Sequence, residues 1–310
     1  MGKATREAYG NALARIGKEN TNIIVLDADL SKSTKTDTFK AVCPERFFNV
    51  GIAEQNLISV GAGLAAAGKI PFVSSFSMFA TGRAFEQIRN AVCYPKLNVK
   101  VCATHAGITV GEDGATHQSL EDISCMRTLP NMTVVVPADE RETEAVIEWA
   151  ASYNGPVYVR LGRAGVDDVT TEGYSFVPGK STILVDGSDA TIIACGALVG
   201  PAVEASKTLS DSNISARVIN MASIKPIDAE AIIKAAAETG AIVTAEEHNI
   251  IGGLGSAVSE VVVSNKPVPM EFVGVQDTFG ESGTPKELMA KYGLTANDIV
   301  EAVKRVIARK

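Results

Sequence analysis

Short apolar runs alternate along the chain with segments in which apolar residues recur at helical spacing. The first half contains six runs rich in Val, Ile and Phe, near residues 22–26, 47–50, 71–74, 100–103, 133–136 and 157–161. Because these runs are apolar almost throughout, they are typical of parallel strands covered on both faces. Helical patterns fall between them, near residues 3–17, 52–67, 79–92 and 139–151. The alternation predicts an α/β fold with a largely parallel sheet.

A second unit of the same kind follows a segment of different composition. Residues 164–180 (AGVDDVTTEGYSFVPGK) are rich in Gly, Asp and Thr and contain a Pro-Gly pair, which is typical of a linker. Strands are then predicted near residues 182–185, 191–194, 216–220, 241–245 and 271–275. Helices are predicted near residues 199–209, 229–238, 254–263, 285–292 and 296–308. We therefore expect two doubly wound α/β domains, at residues 1–165 and 183–310, joined by a linker over 166–182.

Composition narrows the class of protein. The 310 residues include 29 Lys and Arg against 36 Asp and Glu, a net charge of -7, which argues against nucleic acid as the main partner. The first ten residues lack the apolar core of a signal peptide, and no uncharged run reaches the ~20 residues of a membrane span. Five scattered cysteines and three histidines indicate reduced thiols in a cytoplasmic protein without a His-rich metal site.

One candidate for chemistry is an acid directly after a predicted strand. The strand near residues 47–50 ends at Gly51, and Glu54 follows in the first turn of the next helix. Ligands of open α/β folds gather at the carboxyl ends of strands, although Glu54 could also simply complement the helix dipole. The helix continues as 57–67 (LISVGAGLAAA), which is rich in small residues and uncharged. We expect it to lie at the centre of its domain or against another chain.

Aromatic and polar residues follow two further predicted strands. Phe76 and Phe79 come after the strand near 71–74, either as core packing or as the wall of a site. His105 and His117 flank a Gly-rich loop containing Asp113, which lacks the G-K-[ST] of a phosphate loop. A metal site there would need a third ligand from elsewhere. Hydrogen bonding to a hydroxylated substrate suits His and Asp, with ordinary loop histidines as the alternative.

Six motifs in this order resemble the transketolase family. They are 28–33 (ADLSKS), 51–55 (GIAEQ), 75–79 (SFSMF), 111–118 (GEDGATHQ), 130–132 (PNM) and 136–139 (VPAD). The resemblance runs from about the first helix to the C-terminus and covers the family's pyrimidine-binding and C-terminal domains. It implies a transketolase that uses thiamine diphosphate and acts on sugar phosphates in carbohydrate metabolism, as in the pentose phosphate pathway.

The resemblance also implies roles for individual residues at the cofactor. Glu54 would hydrogen-bond N1′ of the aminopyrimidine ring and act as a catalytic residue. Phe79, with Phe76 beside it, would stack against that ring. Asp29 and Leu30 would lie near the thiazolium edge. Gly82 stands where many full-length relatives have an aromatic residue, so this wall of the pocket is expected to be looser.

Substrate contacts follow from the same resemblance. His117 and Asp113 would contact hydroxyls of the donor ketose and take part in catalysis. Positions that hold the sugar phosphate correspond to His105, Ser33, Arg6 and Arg163. An arginine fork suits phosphate geometrically, so an acidic protein can bind phosphosugars through a few local cations. Arg160 competes with Arg163 for this assignment.

A full-length transketolase carries a preceding domain whose Gly-Asp-Gly motif and downstream Asn hold Mg²⁺ and the diphosphate. This chain has no such segment, so the resemblance implies the C-terminal subunit of a split, heterotetrameric transketolase. A separate N-terminal subunit would ligate Mg²⁺, no metal ligand would come from this chain, and the pyrimidine-binding domains would self-associate.

Three alternatives to this assignment stay open. Half of a 1-deoxy-xylulose-5-phosphate-synthase-like enzyme or the beta subunit of a 2-oxo acid dehydrogenase would use the same cofactor. A non-catalytic assembly subunit could keep the fold alone, because a fold does not prove activity. The paired candidates Asp113 and His117 favour a transketolase, since a 2-oxo acid decarboxylase needs no sugar-hydroxyl ligands.

Overall fold

Two sheets, each covered by helices, make up the protein. A computed structural model describes residues 2–310. The strands within this range, numbered in chain order, are β1 (Ile23–Asp27), β2 (Phe47–Asn49), β3 (Ile70–Ser74), β4 (Lys100–Ala103), β5 (Thr133–Val135), β6 (Val157–Arg160), β7 (Thr182–Val185), β8 (Ala190–Ala194), β9 (Ala216–Asn220), β10 (Ser223–Lys225), β11 (Ile242–Asn249) and β12 (Met270–Val275).

The first sheet has seven strands in the order β10-β5-β6-β4-β3-β1-β2, and the second has five in the order β12-β11-β8-β9-β7. Neighbours are parallel except for β10 against β5 and β7 against β9. Parallel strands need crossover connections, and helices provide them here. The predicted pair of doubly wound α/β domains is confirmed.

The α-helices connect these strands and flank both sheets. Their bounds are Thr5–Glu19, Ser31–Thr34, Asp37–Val42, Glu54–Ala66, Phe85–Gln87, Asp122–Arg127, Glu140–Ser152, Val199–Ser210, Ala229–Thr239, Leu254–Asn265, Pro285–Lys291 and Ala296–Ile307. Short 3-10 segments lie at Pro44–Arg46, Ile108–Asp113 and Gly196–Leu198. None of the helices within residues 2–310 is long and apolar enough to cross a membrane.

Strand β1 shows why apolar and polar residues do not alternate along the predicted strands. Val25 packs in one hydrophobic cluster with the helix Thr5–Glu19, and its neighbour Leu26 packs in another with the helix Glu54–Ala66. Successive side chains of a strand point to opposite faces, so a sheet covered on both sides needs apolar residues at every position. The bounds of β4, β7 and β9 are those predicted from the sequence.

The helix predicted over residues 79–92 is irregular. Met78–Arg83 and Ile88–Cys93 form π-helical turns on either side of the short α-helix Phe85–Gln87. Single π-turns inside helices are rare and occur often at functional sites. The helical stretch predicted here is present, but its π-turns were not predicted, because a one-residue bulge leaves the apolar spacing almost unchanged.

Strand β10 was missed by the sequence prediction and links the two halves of the chain. It follows β9 of the second sheet within three residues, yet Ser223 and Lys225 pair with Val135 and Val134 of the first sheet.

The start of the helix Glu140–Ser152 was predicted from the sequence, and Asp139 there accepts a hydrogen bond from the backbone N-H of Glu142. Asp139 also accepts hydrogen bonds from the connecting segment, including the Thr170 amide at 2.7 Å, so this segment is packed down.

The helix Glu54–Ala66 has one buried face and one open face. Leu57 and Ile58 are fully buried against the sheet, whereas Ser59 and Val60 are exposed. Gly61 lies so close to β3 that an added Cβ would be 2.7 Å from Val73. The helix is therefore not central to its own domain, and its open uncharged face is the part available to another chain.

Candidate functional site

The candidate residues gather at one edge of the first sheet, where parallel strands β1 to β4 end. Parallel strands align their carboxyl ends, so segments distant in sequence meet there. Asp29 follows β1, Glu54 follows β2, Phe79 follows β3 and His105 follows β4. A continuous chain of side-chain contacts then joins most of the predicted site residues.

Glu54 lies at the floor of this cluster. It is the first residue of its helix, where the helix dipole is complementary to an acidic side chain, and it is 1% exposed. Its Oε2 accepts a hydrogen bond from Arg83 Nη1 at 2.7 Å. The Arg83 guanidinium also lies 4.9 Å from the centre of the Phe79 ring. Arg83 is half exposed, so this ion pair can open at low cost.

Four aromatic rings form a wall beside Glu54. The ring of Phe76 stacks on His105 with centroids 3.8 Å apart. The ring of His117 meets Phe79 edge-on at 5.2 Å and Phe76 at 6.2 Å. Flat faces and ring edges of this kind hold an aromatic ligand in a defined orientation. Phe76 is largely buried and Phe79 is partly open, so only the second presents its ring to a ligand.

His105 is buried and held in an unusual backbone conformation. Its φ is 57°, its Nδ1 is 2.9 Å from Thr104 Oγ1, and its Nε2 is 3.5 Å from Arg6 Nη1. Burial, with the positive charges of Arg6 and Arg163, lowers its pKa to about 3. The imidazole is therefore neutral at physiological pH and offers one donor and one acceptor.

This lowered pKa predicts acid destabilisation. An unfolded histidine binds its proton near pH 6.5, whereas folded His105 stays neutral down to about pH 3. The unfolded state therefore binds the extra proton as the pH falls, and the free energy of unfolding drops by up to about 1.4 kcal/mol per pH unit below pH 6.5. Urea denaturation at pH 7, 6 and 5 measures this slope. His105→Gln should flatten it, and an equally steep slope in that variant would contradict the assignment.

Two arginines lie at the outer side of the cluster. Arg6 Nη1 donates to the backbone oxygen of Ser33 at 2.9 Å, which ties the first helix to the segment after β1. Arg163 Nη1 donates to the Val110 oxygen and lies 3.9 Å from Asp113 Oδ2. Burial and the charge of Arg163 lower the pKa of Arg6, and both arginines lower the pKa of His105, so the cations face one region.

Arg160 is buried and paired with interior groups. Its Nε donates to Asp122 Oδ2 at 2.8 Å and its Nη2 to the Glu247 backbone oxygen at 2.8 Å, and it is 5% exposed. The side chain of Arg163, in contrast, is 35% exposed. Of the two arginines, Arg163 is thus the one accessible to an anion.

Asp29 and Leu30 lie on the turn after β1, which Asp27 organises. Buried Asp27 accepts hydrogen bonds from the Leu30 amide at 2.6 Å and from the Thr34 hydroxyl at 2.6 Å. Asp29 has a φ of 64° and accepts a hydrogen bond from Asn49 Nδ2 at 2.7 Å. These bonds fix the turn next to the end of β2. In the described part of the chain, no hydrogen bond joins this turn to Glu54.

Two parts of this site were not anticipated from the sequence. Arg83, the partner of Glu54, lies four residues after Phe79, and that helical spacing was the available signal. At Gly82, an added Cβ would lie 2.7 Å from the terminal methyl of Met78. Met78 thus fills part of the space that Gly82 leaves, which makes this wall less open than expected.

Comparison with known proteins agrees with this geometry. Residues 1–167 match the family model of the transketolase pyrimidine binding domain, and residues 179–299 match that of the transketolase C-terminal domain. An inferred transketolase C-terminal section of Methanocaldococcus jannaschii is 52% identical over 304 residues, covering 97% of this chain and 95% of the relative. A 6-deoxy-6-sulfo-D-fructose transketolase subunit of a Clostridium species is 43% identical, covering 98% and 95%. A solved split-gene transketolase, an inactive beta4 tetramer, matches all of both chains with a TM-score of 0.92 and 56% identity.

The chain belongs to the transketolase family. Within that family it corresponds to the C-terminal section of a split transketolase, as its six motifs predict. The two matched segments contain the first and second sheets respectively, apart from β10. The domain boundaries at residues 165 and 183 stay a prediction.

Proposed function

We propose that this chain is the C-terminal subunit of a thiamine-diphosphate-dependent transketolase that moves a two-carbon ketol unit from a ketose phosphate to an aldose phosphate. The observation that carries the proposal is the buried Glu54 carboxylate at a helix N-terminus, joined through Arg83 to the open ring of Phe79. A carboxylate for a ring nitrogen and a flat aromatic face for stacking are the groups that suit an aminopyrimidine ring.

The residues present fit the pyrimidine end of the cofactor. Glu54 is buried yet paired with a half-exposed arginine, so a ring nitrogen can replace Arg83 as its partner. When bound, thiamine diphosphate supplies the nucleophilic carbon for cleaving and forming bonds next to a carbonyl. No group of three His, Cys, Asp or Glu is arranged to hold a metal in the described part of the chain. The assignment of Mg²⁺ and the diphosphate to an N-terminal partner subunit rests on the resemblance to full-length transketolases.

Each side chain then has a defined task. Glu54 holds a proton toward ring nitrogen N1′, Phe79 orients the ring and keeps water from it, and Phe76 supports Phe79 from 6.1 Å away. Asp113 and His117 bind hydroxyls of the ketose, and Asp113 is accessible for this, with a side chain 43% exposed.

The sugar phosphate would be held by the outer cations. Arg6 and Arg163 supply positive charge, and Ser33 and neutral His105 supply hydrogen bonds. This arrangement accounts for phosphosugar binding by a protein of net charge -7.

Two interfaces complete the proposed enzyme. The open face of the helix Glu54–Ala66, which includes Ser59, Val60 and Gly63, suits self-association of the pyrimidine-binding domains. The N-terminal subunit would cover the site edge, giving a heterotetramer in the cytoplasm. The related split-gene tetramer that contains beta chains alone is named as inactive, which supports a requirement for the second subunit. Pentose phosphates are the proposed substrates, although one relative is named for a sulfo-sugar.

Reconstitution tests the proposal. With an N-terminal subunit, thiamine diphosphate and Mg²⁺, we expect the chain to consume a ketose phosphate and lengthen an aldose phosphate, measured by a coupled assay. The chain by itself should transfer no ketol unit. Transfer by the isolated chain would contradict the two-subunit enzyme, and pyruvate consumption without ketose consumption would favour one of the alternative thiamine diphosphate enzymes.

A further inference from the structure

We propose that Glu247, in the second sheet, is a positioning residue that fixes the loop carrying the substrate-binding groups. This inference rests on the proposed function and assigns a task to the C-terminal domain. Glu247 is 3% exposed, and its Oε1 accepts a hydrogen bond from the backbone N-H of Thr109 at 2.6 Å. The bond spans 138 residues and joins β11 to the 3-10 segment Ile108–Asp113.

The loop is shaped to receive this carboxylate. Gly107 has a φ of 85°, and an added Cβ there would lie 2.3 Å from the Glu247 carboxyl carbon. Gly111 and Gly114 also have positive φ, so the loop turns sharply at three glycines. A backbone of this kind has little rigidity of its own and needs outside contacts to hold one conformation.

The second sheet and its following loop supply those contacts. Gln118 Nε2 donates to the oxygens of Ile108 and Gly111 within the loop and to the Glu281 oxygen at 2.9 Å. The Asn249 amide, at the end of β11, donates to the Leu120 oxygen at 2.8 Å. With the Glu247 contact, these bonds rest the loop on the C-terminal domain.

Displacing Thr109 would move the groups proposed to hold the sugar phosphate. Arg163 donates to the oxygen of Val110, the next residue, and to Glu112 Oε2 at 3.1 Å. Asp113 ends the same segment. Glu54 pairs with Arg83, which lies outside this loop. Phe79 contacts the loop at the ring of His117. Loss of the Glu247 contact should therefore weaken sugar phosphate binding and leave the cofactor end in place.

The test uses the reconstituted complex and a matched neighbour. Glu246 is equally buried on the same strand, but its carboxylate accepts the amides of Leu254 and Gly255 within its own domain. We expect Glu247→Ala to raise KM for the ketose phosphate about 10- to 100-fold, the effect of losing a hydrogen bond to a charged group. The kcat and the thiamine diphosphate Kd should stay within about threefold. Glu247→Gln, which keeps an acceptor, should restore KM, and Glu246→Ala should not raise it.

A second variant and a second measurement keep the result clear if Glu247→Ala does not fold. Thr109→Pro removes the donor, keeps every buried charge, and should raise KM to the same extent. Hydrogen exchange of residues 105–118 in the complex should accelerate in both variants. Unchanged exchange, a wild-type KM in a folded variant, or an equal rise in Glu246→Ala would overturn the proposal. An inactive wild-type complex would instead fail the proposed function itself.

Discussion

Replacing Glu54 with Gln is expected to lower kcat for ketol transfer by about 10²- to 10⁴-fold, the range contributed by a positioned proton-transfer group. Glutamine keeps the shape of the side chain but cannot share a proton with a ring nitrogen in the same way. Because Arg83, the partner of Glu54, is half exposed, the freed guanidinium can be solvated and the fold should survive. Loss of activity would therefore report on chemistry.

The structure offers a matched control for that experiment. Glu140 is also the first residue of a helix and also pairs with a cation, Lys3 Nζ at 2.5 Å, but it lies away from the site cluster. Glu140→Gln in the same reconstituted complex should leave kcat unchanged. Steady-state ketol transfer with saturating thiamine diphosphate measures both variants. Unaffected turnover in Glu54→Gln would support a non-catalytic scaffold instead.

Removing Asp122 should destabilise the fold by about 3–5 kcal/mol, the cost of breaking a buried ion pair from one side. Asp122 is fully buried and its Oδ2 accepts hydrogen bonds from Arg160 at 2.8 Å and from Tyr158 at 2.6 Å. The Arg160 charge keeps the pKa of Asp122 below its usual range despite complete burial. Asp122→Ala leaves a buried guanidinium without its closest counter-charge.

Urea denaturation of wild type and Asp122→Ala measures this loss. Glu260→Ala is the control, because Glu260 also pairs with an arginine, Arg127, but its side chain is 67% exposed. An exposed pair of this kind is worth at most about 1 kcal/mol. Equal effects of the two substitutions would show that burial of the Asp122 pair has no special cost.

The Asp122 network also reaches the aromatic wall. Tyr158, which donates to Asp122, lies 2.9 Å from the Ser77 hydroxyl, between Phe76 and Phe79 in the chain. Arg160 extends the same network to the backbone of Glu247. Buried polar groups that hydrogen-bond to one another favour a single arrangement of the elements that carry them. The aromatic wall and the strand that carries Glu247 are thus joined by one set of interior contacts.

Local pattern was sufficient to locate most strands and to select the candidate site residues. Strands β1 and β4 are apolar at nearly every position because both of their faces are buried, and that signal does not depend on distant parts of the chain. The position of Glu54 could be interpreted in the same way, since a strand end, a glycine and an acid at a helix start are adjacent in sequence. The six ordered motifs then identified the family.

Other features depend on residues far apart in the chain. Strand β10 has only three residues and pairs with β5 of the other sheet. Without β10, β5 would have an unpaired edge, and β10 fills it. The π-turns before and after Phe85–Gln87 depend on packing against neighbouring elements. Arg160 and Arg163 look alike in sequence, and only burial separates the interior ion pair from the exposed candidate ligand.

From its sequence alone, this protein is an α/β chain of the transketolase family with Glu54 at a strand end, because these properties follow from residues near one another. The tertiary structure decided which charges are buried together, how Glu54 is paired, and that the second sheet supports the loop bearing Asp113. Those outcomes depend on contacts between residues that are separated in the chain, from 29 positions for Glu54 with Arg83 to 138 positions for Thr109 with Glu247. Local pattern does not specify such contacts, because desolvation and hydrogen-bond geometry are set only when distant segments of the chain pack together.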